Sequence, residues 1–218
     1  VQQDLTALGE FVRLFLVRNE RMRSPLFLAG ESYGTFRAAG LANHLLDKNI
    51  ALNGIILIST ILDFRPSNPA GGNELPYAIY IPTYTAAAWY HGLLPDDLQR
   101  KPLAEALREA EQWATTTFTL ALMRGDALTG EERRAIVADL VRYTGLSPEF
   151  IERHDLRFDD WQFRKELLRD RRRSLSVYDA RLLAIEPKAA GEGPDFDPIL
   201  GAMGAPYTML FNDYIRRE

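Results

Sequence analysis

The run Leu26-Phe27-Leu28-Ala29 stops at Gly30; Ser32 follows two residues on, Gly34 two after that, and an amphipathic repeat starts at Thr35. A serine flanked by two glycines at a strand-to-helix junction has a mechanical meaning: it occupies a strained turn that holds its hydroxyl clear of the backbone, at the carboxyl end of the strand. Side chains at 30 and 34 are expected to collide with the turn or with neighbouring backbone, so both positions call for glycine. With 7 serines and 15 glycines in 218 residues, chance gives such a flanked serine roughly 0.03 times. A plain Gly-Ser loop is the competing reading, and the patterns on either side argue against it. Ser32 is the candidate nucleophile.

Residues 4–18 repeat apolar side chains at helical spacing (Leu5, Leu8, Val12, Phe15, Leu16), with Asp4 placed to cap them. Pro25 opens the strand that ends at Gly30. Residues 35–48 put Ala38, Leu41, Ala42 and Leu45 on one helix face, and Asn53-Gly54 signals a turn. Ile55-Ile56-Leu57-Ile58 then reads as a strand buried on both faces, the habit of parallel sheets. Helix, strand, helix, strand is one repeat of a doubly covered α/β sheet. After Ile61 the alternation stops. Residues 63–76 read as a loop, followed by helices at about 77–92, 96–124, 130–144, 147–154 and 159–170. Residues 174–184 include a short strand at most, 186–203 are Pro/Gly-rich and acidic, and a last helix spans about 205–217. The fold class is α/β, organised as 1–62 (core with the Ser32 turn), 63–203 (mainly helical insertion) and 204–218 (helix returning to the core). Two strands do not make a stable sheet of this kind, so the layout predicts a piece of a larger core.

The net charge of −4 argues against nucleic acid as the main partner. The absence of cysteine excludes disulfides, thiol nucleophiles and thiolate metal sites, and nothing calls for a metal or cofactor. The uncharged stretch 75–94 carries two prolines, four tyrosines and His91, which argues against a membrane span. No secretory signal follows Val1. The compartment stays open, an exported or periplasmic parent protein included, and a homodimer is one assembly the reading allows.

A serine hydroxyl becomes a nucleophile when a base takes its proton and a third group orients that base. His44 lies in the helix after Ser32 and reads as a surface residue; His91 reads as structural or pocket-lining; His154 reads as exposed at a helix end. None follows a strand-like run, so the base is expected outside these residues. Asp63, just past the second strand, is a candidate acid or simply the start of a loop. The backbone N–H of Tyr33 would supply half of an oxyanion hole. Glu31 has two readings. Protonated, it would donate a hydrogen bond to a substrate carboxylate and tie activity to acidic pH; ionised, it would be held by a nearby arginine. Arg164–Arg173 reads as a solvated basic helix face. Tyr77, Tyr80, Tyr84, Trp89 and Tyr90 either line a cleft or pack in the core.

Gly30-Glu31-Ser32-Tyr33-Gly34 resembles the nucleophile motif of the serine carboxypeptidases, and the bacterial branch is similar more widely. The likeness extends over Glu10-Phe11-Val12, Leu52 to Ser59, Leu75-Pro76-Tyr77, Trp89-Tyr90-His91-Gly92, Tyr178 to Arg181 and Asn212-Asp213-Tyr214. The resemblance implies an α/β-hydrolase fold, seen here as part of its core with a helical cap, and a substrate that is a peptide with a free terminal carboxylate. It implies Ser32 as nucleophile, Tyr33 as oxyanion donor and Glu31 as carboxylate holder, with the triad Asp and His outside these residues and the chain inactive alone. Gly34 departs from the alanine of many members. An esterase or acyltransferase of the same fold, or a non-catalytic interaction fragment, are the competing functions.

Overall fold

The computed structural model describes residues 1–217, in two units, Val1–Phe64 and the residues from Arg65 onward. The first alternates α1 (Gln2–Arg18), β1 (Phe27–Glu31), α2 (Tyr33–Asp47) and β2 (Gly54–Ile58). The strands are parallel, in register from Phe27↔Gly54 to Glu31↔Ile58, the arrangement a connecting helix allows. Asn53 fixes their start: its N–H donates to Leu26 O at 2.7 Å and its Oδ1 accepts from Leu26 N at 2.8 Å. Leu5 and Leu16 of α1 pack with Leu41 and Leu45 of α2 and with Ile50.

Two expectations for this unit fail. Asp4 does not cap α1, which begins at Gln2; it sits in the first turn and pairs with Arg37 of α2 at 2.7 Å. β2 is not buried on both faces, since Ile55, Ile56, Leu57 and Ile58 are 44–52% exposed. A strand paired on one edge, in a sheet of two strands, lacks the neighbours and the second layer that would cover it. The strand itself forms where the apolar run placed it.

The second unit is mainly helical. After a 3₁₀ turn at Arg65–Ser67 come α3 (Leu75–Ile79), α4 (Ile81–Tyr90), α5 (Asp96–Gln99), α6 (Leu103–Trp113), α7 (Thr119–Arg124), α8 (Gly130–Thr144), α9 (Pro148–Arg153) and α10 (Asp160–Glu166). The single helix expected at 96–124 is broken at Pro102, which lacks the N–H a continuing helix needs. It is broken again by a π turn at Ala114–Phe118. There Thr119 Oγ1 donates to Ala114 O at 2.8 Å, while Thr115 and Thr116 bond the carbonyls of Glu111 and Gln112, so hydroxyls compete for the helix's own acceptors. Buried Ala106, Ala110 and Ala114 share one core with Ala87 and Ala88 of α4 and Ile136, Val137 and Leu140 of α8. Trp113 stacks on Phe118, ring centres 5.2 Å apart, and donates from Nε1 to Asp139 at 2.8 Å.

The basic run is not a solvated face. Lys165 is 1% exposed, 3.5 Å from the Glu186 carboxylate, because the hairpin of β3 (Arg173–Leu175) and β4 (Leu183–Ile185) packs over α10. Arg169 donates to the carbonyls of Ala189 and Gly191, and Arg172 to those of Glu186 and Pro187. These arginines staple down a segment that has no ladder of its own. The last helix, α11 (Pro198–Arg217), begins earlier than expected, and Tyr207, Leu210, Phe211 and Tyr214 on it are exposed. Among the described residues no helix is long and apolar enough to cross a membrane.

α8 starts at a capping box: Thr129 Oγ1 accepts from Glu132 N, and Glu132 accepts from Thr129 N. Arg124 also binds Glu132 and, with the Thr129 bonds, holds its carboxyl down to about 2 from an ordinary 4.5. The folded value lies below the unfolded one. The contribution is therefore complete above about pH 4.5 and is lost as pH falls through about 2. The difference in thermal midpoint between wild type and Glu132→Gln should accordingly shrink over that window. A difference constant from pH 7 to 2 would refute the role of the charge.

Candidate active site

β1 ends at Glu31 and α2 begins at Tyr33, so Ser32 alone makes the turn between them. Its backbone takes φ 53° and ψ −122°, a conformation that costs an L-residue about 1–3 kcal/mol. Three bonds hold it there. Ser32 N–H donates to Ile58 O at 2.9 Å, at the end of β2. Ser32 C=O accepts from Thr35 N at 3.0 Å and from Thr35 Oγ1 at 2.7 Å. Thr35 is buried, and its Oγ1 in turn accepts from Ile61 N at 3.1 Å. One hydroxyl thus ties the turn, the first turn of α2 and the chain leaving β2.

The two glycines are not equivalent. A Cβ on Gly30 would lie 2.2 Å from Gly34 O and 3.0 Å from Ala38 Cβ, so the strand closes on the helix only without one. A Cβ on Gly34 would meet nothing within 4 Å. The expectation that position 34 also needs glycine is therefore corrected: in the first turn of α2 its side-chain direction is open.

Ser32 is exposed, as are Glu31 and Tyr33 on either side. Tyr33 is the first residue of α2, so its N–H has no acceptor within the helix. Its ring forms a half-exposed aromatic trio with Phe36 (5.7 Å) and Phe64 (5.9 Å), and the Arg37 guanidinium lies 5.2 Å over it. Among the described residues no arginine pairs with Glu31, so the reading in which one holds it finds no partner. Asp63 is exposed in the segment after β2.

Among the described residues no hydrogen bond joins His44 to Ser32, and His91 and His154 belong to the second unit. His44 packs over Gly9 of α1, where an added Cβ would come within 2.5 Å of its ring, so it serves the helix contact rather than the open surface. In the second unit His91 Nε2 is 2.8 Å from Ala180 O. His154 Nδ1 is 2.8 Å from Phe150 O, with its ring 4.0 Å from that of Phe150, so it is packed rather than exposed. The tyrosine-rich segment divides. Tyr84 is buried and, with Tyr80, borders a cavity of about 340 Å³; Tyr77 and Trp89 pack against the core and Tyr90 is exposed. Among the described residues no group of His, Asp and Glu is arranged to hold a metal. Thr35 and Ser59, which repeats a positive φ of 53° at the end of β2, were not marked by the sequence motif; a threonine three residues past a turn serine is the one signal that could have pointed to Thr35.

Gly30→Ala should destabilise the first unit by about 1–3 kcal/mol or more through overpacking against Gly34 O, whereas Gly34→Ala should be neutral or stabilising by up to about 1 kcal/mol. Thr35→Val, which leaves Ser32 C=O and Ile61 N–H without that partner, should cost about 1–3 kcal/mol, and Thr35→Ser should recover most of it. Urea unfolding of the variants checks the order, and equal effects at 30 and 34 would contradict the geometry.

Compared with protein-family models, with curated proteins and with solved structures, the chain finds no match.

Proposed function

We propose that the chain carries the nucleophile of a serine-type carboxypeptidase built on an α/β-hydrolase core, with the helical unit as its cap. The observation that carries the reading is the backbone of Ser32: a non-glycine residue at φ 53°, ψ −122°, exposed at the tip of a parallel strand, with a helix starting at the next residue. This is the geometry a nucleophile elbow requires.

In this proposal a base supplied outside the described residues removes the Ser32 proton as Oγ attacks the carbonyl carbon of the last peptide bond. Negative charge develops on the carbonyl oxygen and is met by Tyr33 N–H, an orphan donor at the start of α2 that needs no rearrangement. The C–N bond breaks, the amine leaves with the proton from the base, and the acyl group stays on Ser32 until water resolves it. Glu31 stands one residue before the attacking oxygen, exposed and without an arginine partner, as a group that would hold the substrate's terminal carboxylate by a shared proton. An esterase or acyltransferase would use the same Ser32 and Tyr33; the Glu31 contact is what separates the peptidase reading from these.

A fluorophosphonate should label Ser32 in the protein that carries this chain together with its acid and base, and Ser32→Ala should abolish the labelling. Residues 1–218 alone should stay unlabelled, and strong labelling of them would mean that His91 or His154 serves as base. Glu31→Gln should weaken the binding of peptides with a free carboxylate by about tenfold while ester hydrolysis is largely kept. Equal losses on both substrates would remove the clamp role.

A further inference from the structure

The helical unit contains two adjoining cavities that share Tyr80, Tyr84 and Asp160 as a common wall. The smaller, about 70 Å³, is bordered by Pro76, Phe158 and Asp159; the larger, about 340 Å³, by Ala87, Phe163, Arg164, Leu175 and Val177. Aromatic rings form much of this wall. Tyr84 stacks with Phe163 at 4.2 Å and with Tyr80 at 6.0 Å, and lies 5.7 Å from Phe158. Tyr84 is only 3% exposed and borders both cavities.

The charge around these rings is unbalanced. The charged residues bordering the smaller cavity are Asp159 and Asp160. Arg164 is the cation of the larger one, and it is already engaged: its Nε is 3.3 Å from Asp160 and its Nη1 3.6 Å from Asp197. Asp197 is itself fixed by Ser176 Oγ (2.9 Å), Val177 N (2.7 Å) and Ile199 N (2.9 Å). With one Arg164 shared between Asp160 and Asp197, the carboxylates of Asp159, Asp160 and Asp197 outnumber the cation. One oxygen of Asp159 accepts from Gln162 N at 2.8 Å, and the Asp160 side chain, bonded by Arg164 through Oδ2, is 45% exposed. Burial, and then these two aspartates, push the Tyr84 phenol upward, against a smaller opposing pull from Arg164. Tyr84 therefore stays neutral and can accept from a cation's N–H.

We propose that these cavities bind an organic cation: a primary ammonium on an apolar body, its head between Asp159, Asp160 and the tyrosine faces and its body against Ala87, Phe163, Leu175 and Val177. Electron-rich ring faces and a local excess of carboxylates together select a cation, and the apolar lobe selects an amine that carries hydrocarbon over a bare inorganic ion. An anion would meet two carboxylates before it reached an arginine already paired. The same head group is found on a small amine and on a lysine side chain.

Calorimetric titration of the full chain with n-hexylammonium tests the site, with hexanol and hexanoate as matched controls. Hexylammonium should bind saturably and about tenfold or more tighter than either control. Asp160→Asn should lose about tenfold. Asp159→Asn, which keeps a residue able to cap α10 and so guards against misfolding, should lose severalfold. Hexanol binding as tightly as the amine, both variants binding like wild type, or no saturable binding would each overturn the proposal. Nα-acetyl-lysine amide, with its side-chain ammonium free, binding at least as tightly as hexylammonium identifies a peptide side chain as the source; clearly weaker binding identifies a free amine.

Discussion

The first unit depends on the contact between Gly30 and the carbonyl of Gly34. β1 can run straight into α2 through one residue only if the strand's penultimate position approaches the first helical turn at a distance no Cβ tolerates. Given that closeness, Ser32 has to turn the chain alone and is forced into a positive φ. The strain is then contained by bonds to Ile58 and Thr35, both of which belong to neighbouring elements. Pairing of β1 with β2 is thus more than sheet formation. It brings Ile58 O to the serine's N–H, so the turn is held only when the parallel register is in place.

The two units rest on different balances. The helical one closes its core through alanines at Ala106, Ala110 and Ala114, with Trp113, Phe118 and Tyr143 packed beside them. The starts of α8, α9 and α10 are satisfied by side chains at Thr129, Ser147 and Asp159, each worth about 0.5–2 kcal/mol. The first unit has a smaller core of five buried apolar residues, and its second strand shows half its apolar surface. At about 25 cal/mol per Å² of apolar surface left in water, an uncovered sheet face is a substantial shortfall. Rigidity at Ser32 therefore comes from local hydrogen bonding more than from burial.

Much of this was legible in the sequence, for reasons that can be named. Punctuation by Gly30, Asn53-Gly54 and Pro25 bounded both strands to within two residues, and the capping residues Thr129 and Ser147 located α8 and α9. What failed was whatever depends on the third dimension. A run of Ile and Leu at 55–58 signals a strand, but its burial is decided by neighbours that periodicity does not count. The basic run at 164–173 has the composition of a solvent face, yet a hairpin closes over Lys165, and the arginines are consumed by carbonyls of a segment twenty residues away. Of the candidate site, the motif located Ser32, Glu31 and Tyr33; Thr35 was silent because one threonine in a helix carries no pattern.

Strain alone does not single out Ser32. Ser59 has the same positive φ at the end of the neighbouring strand, and it too is exposed. The two differ in the path the chain takes beyond them. After Ser59 it continues without a helix to Asp63, whereas after Ser32 a fifteen-residue helix begins at once and turns its unpaired N–H groups toward the serine. A glycine at 32 would make the same turn without the steric cost. A serine there takes on about 1–3 kcal/mol of backbone strain and carries a hydroxyl at the start of a helix whose first N–H groups are orphan donors. In the proposed function, that strain places the hydroxyl where negative charge would develop.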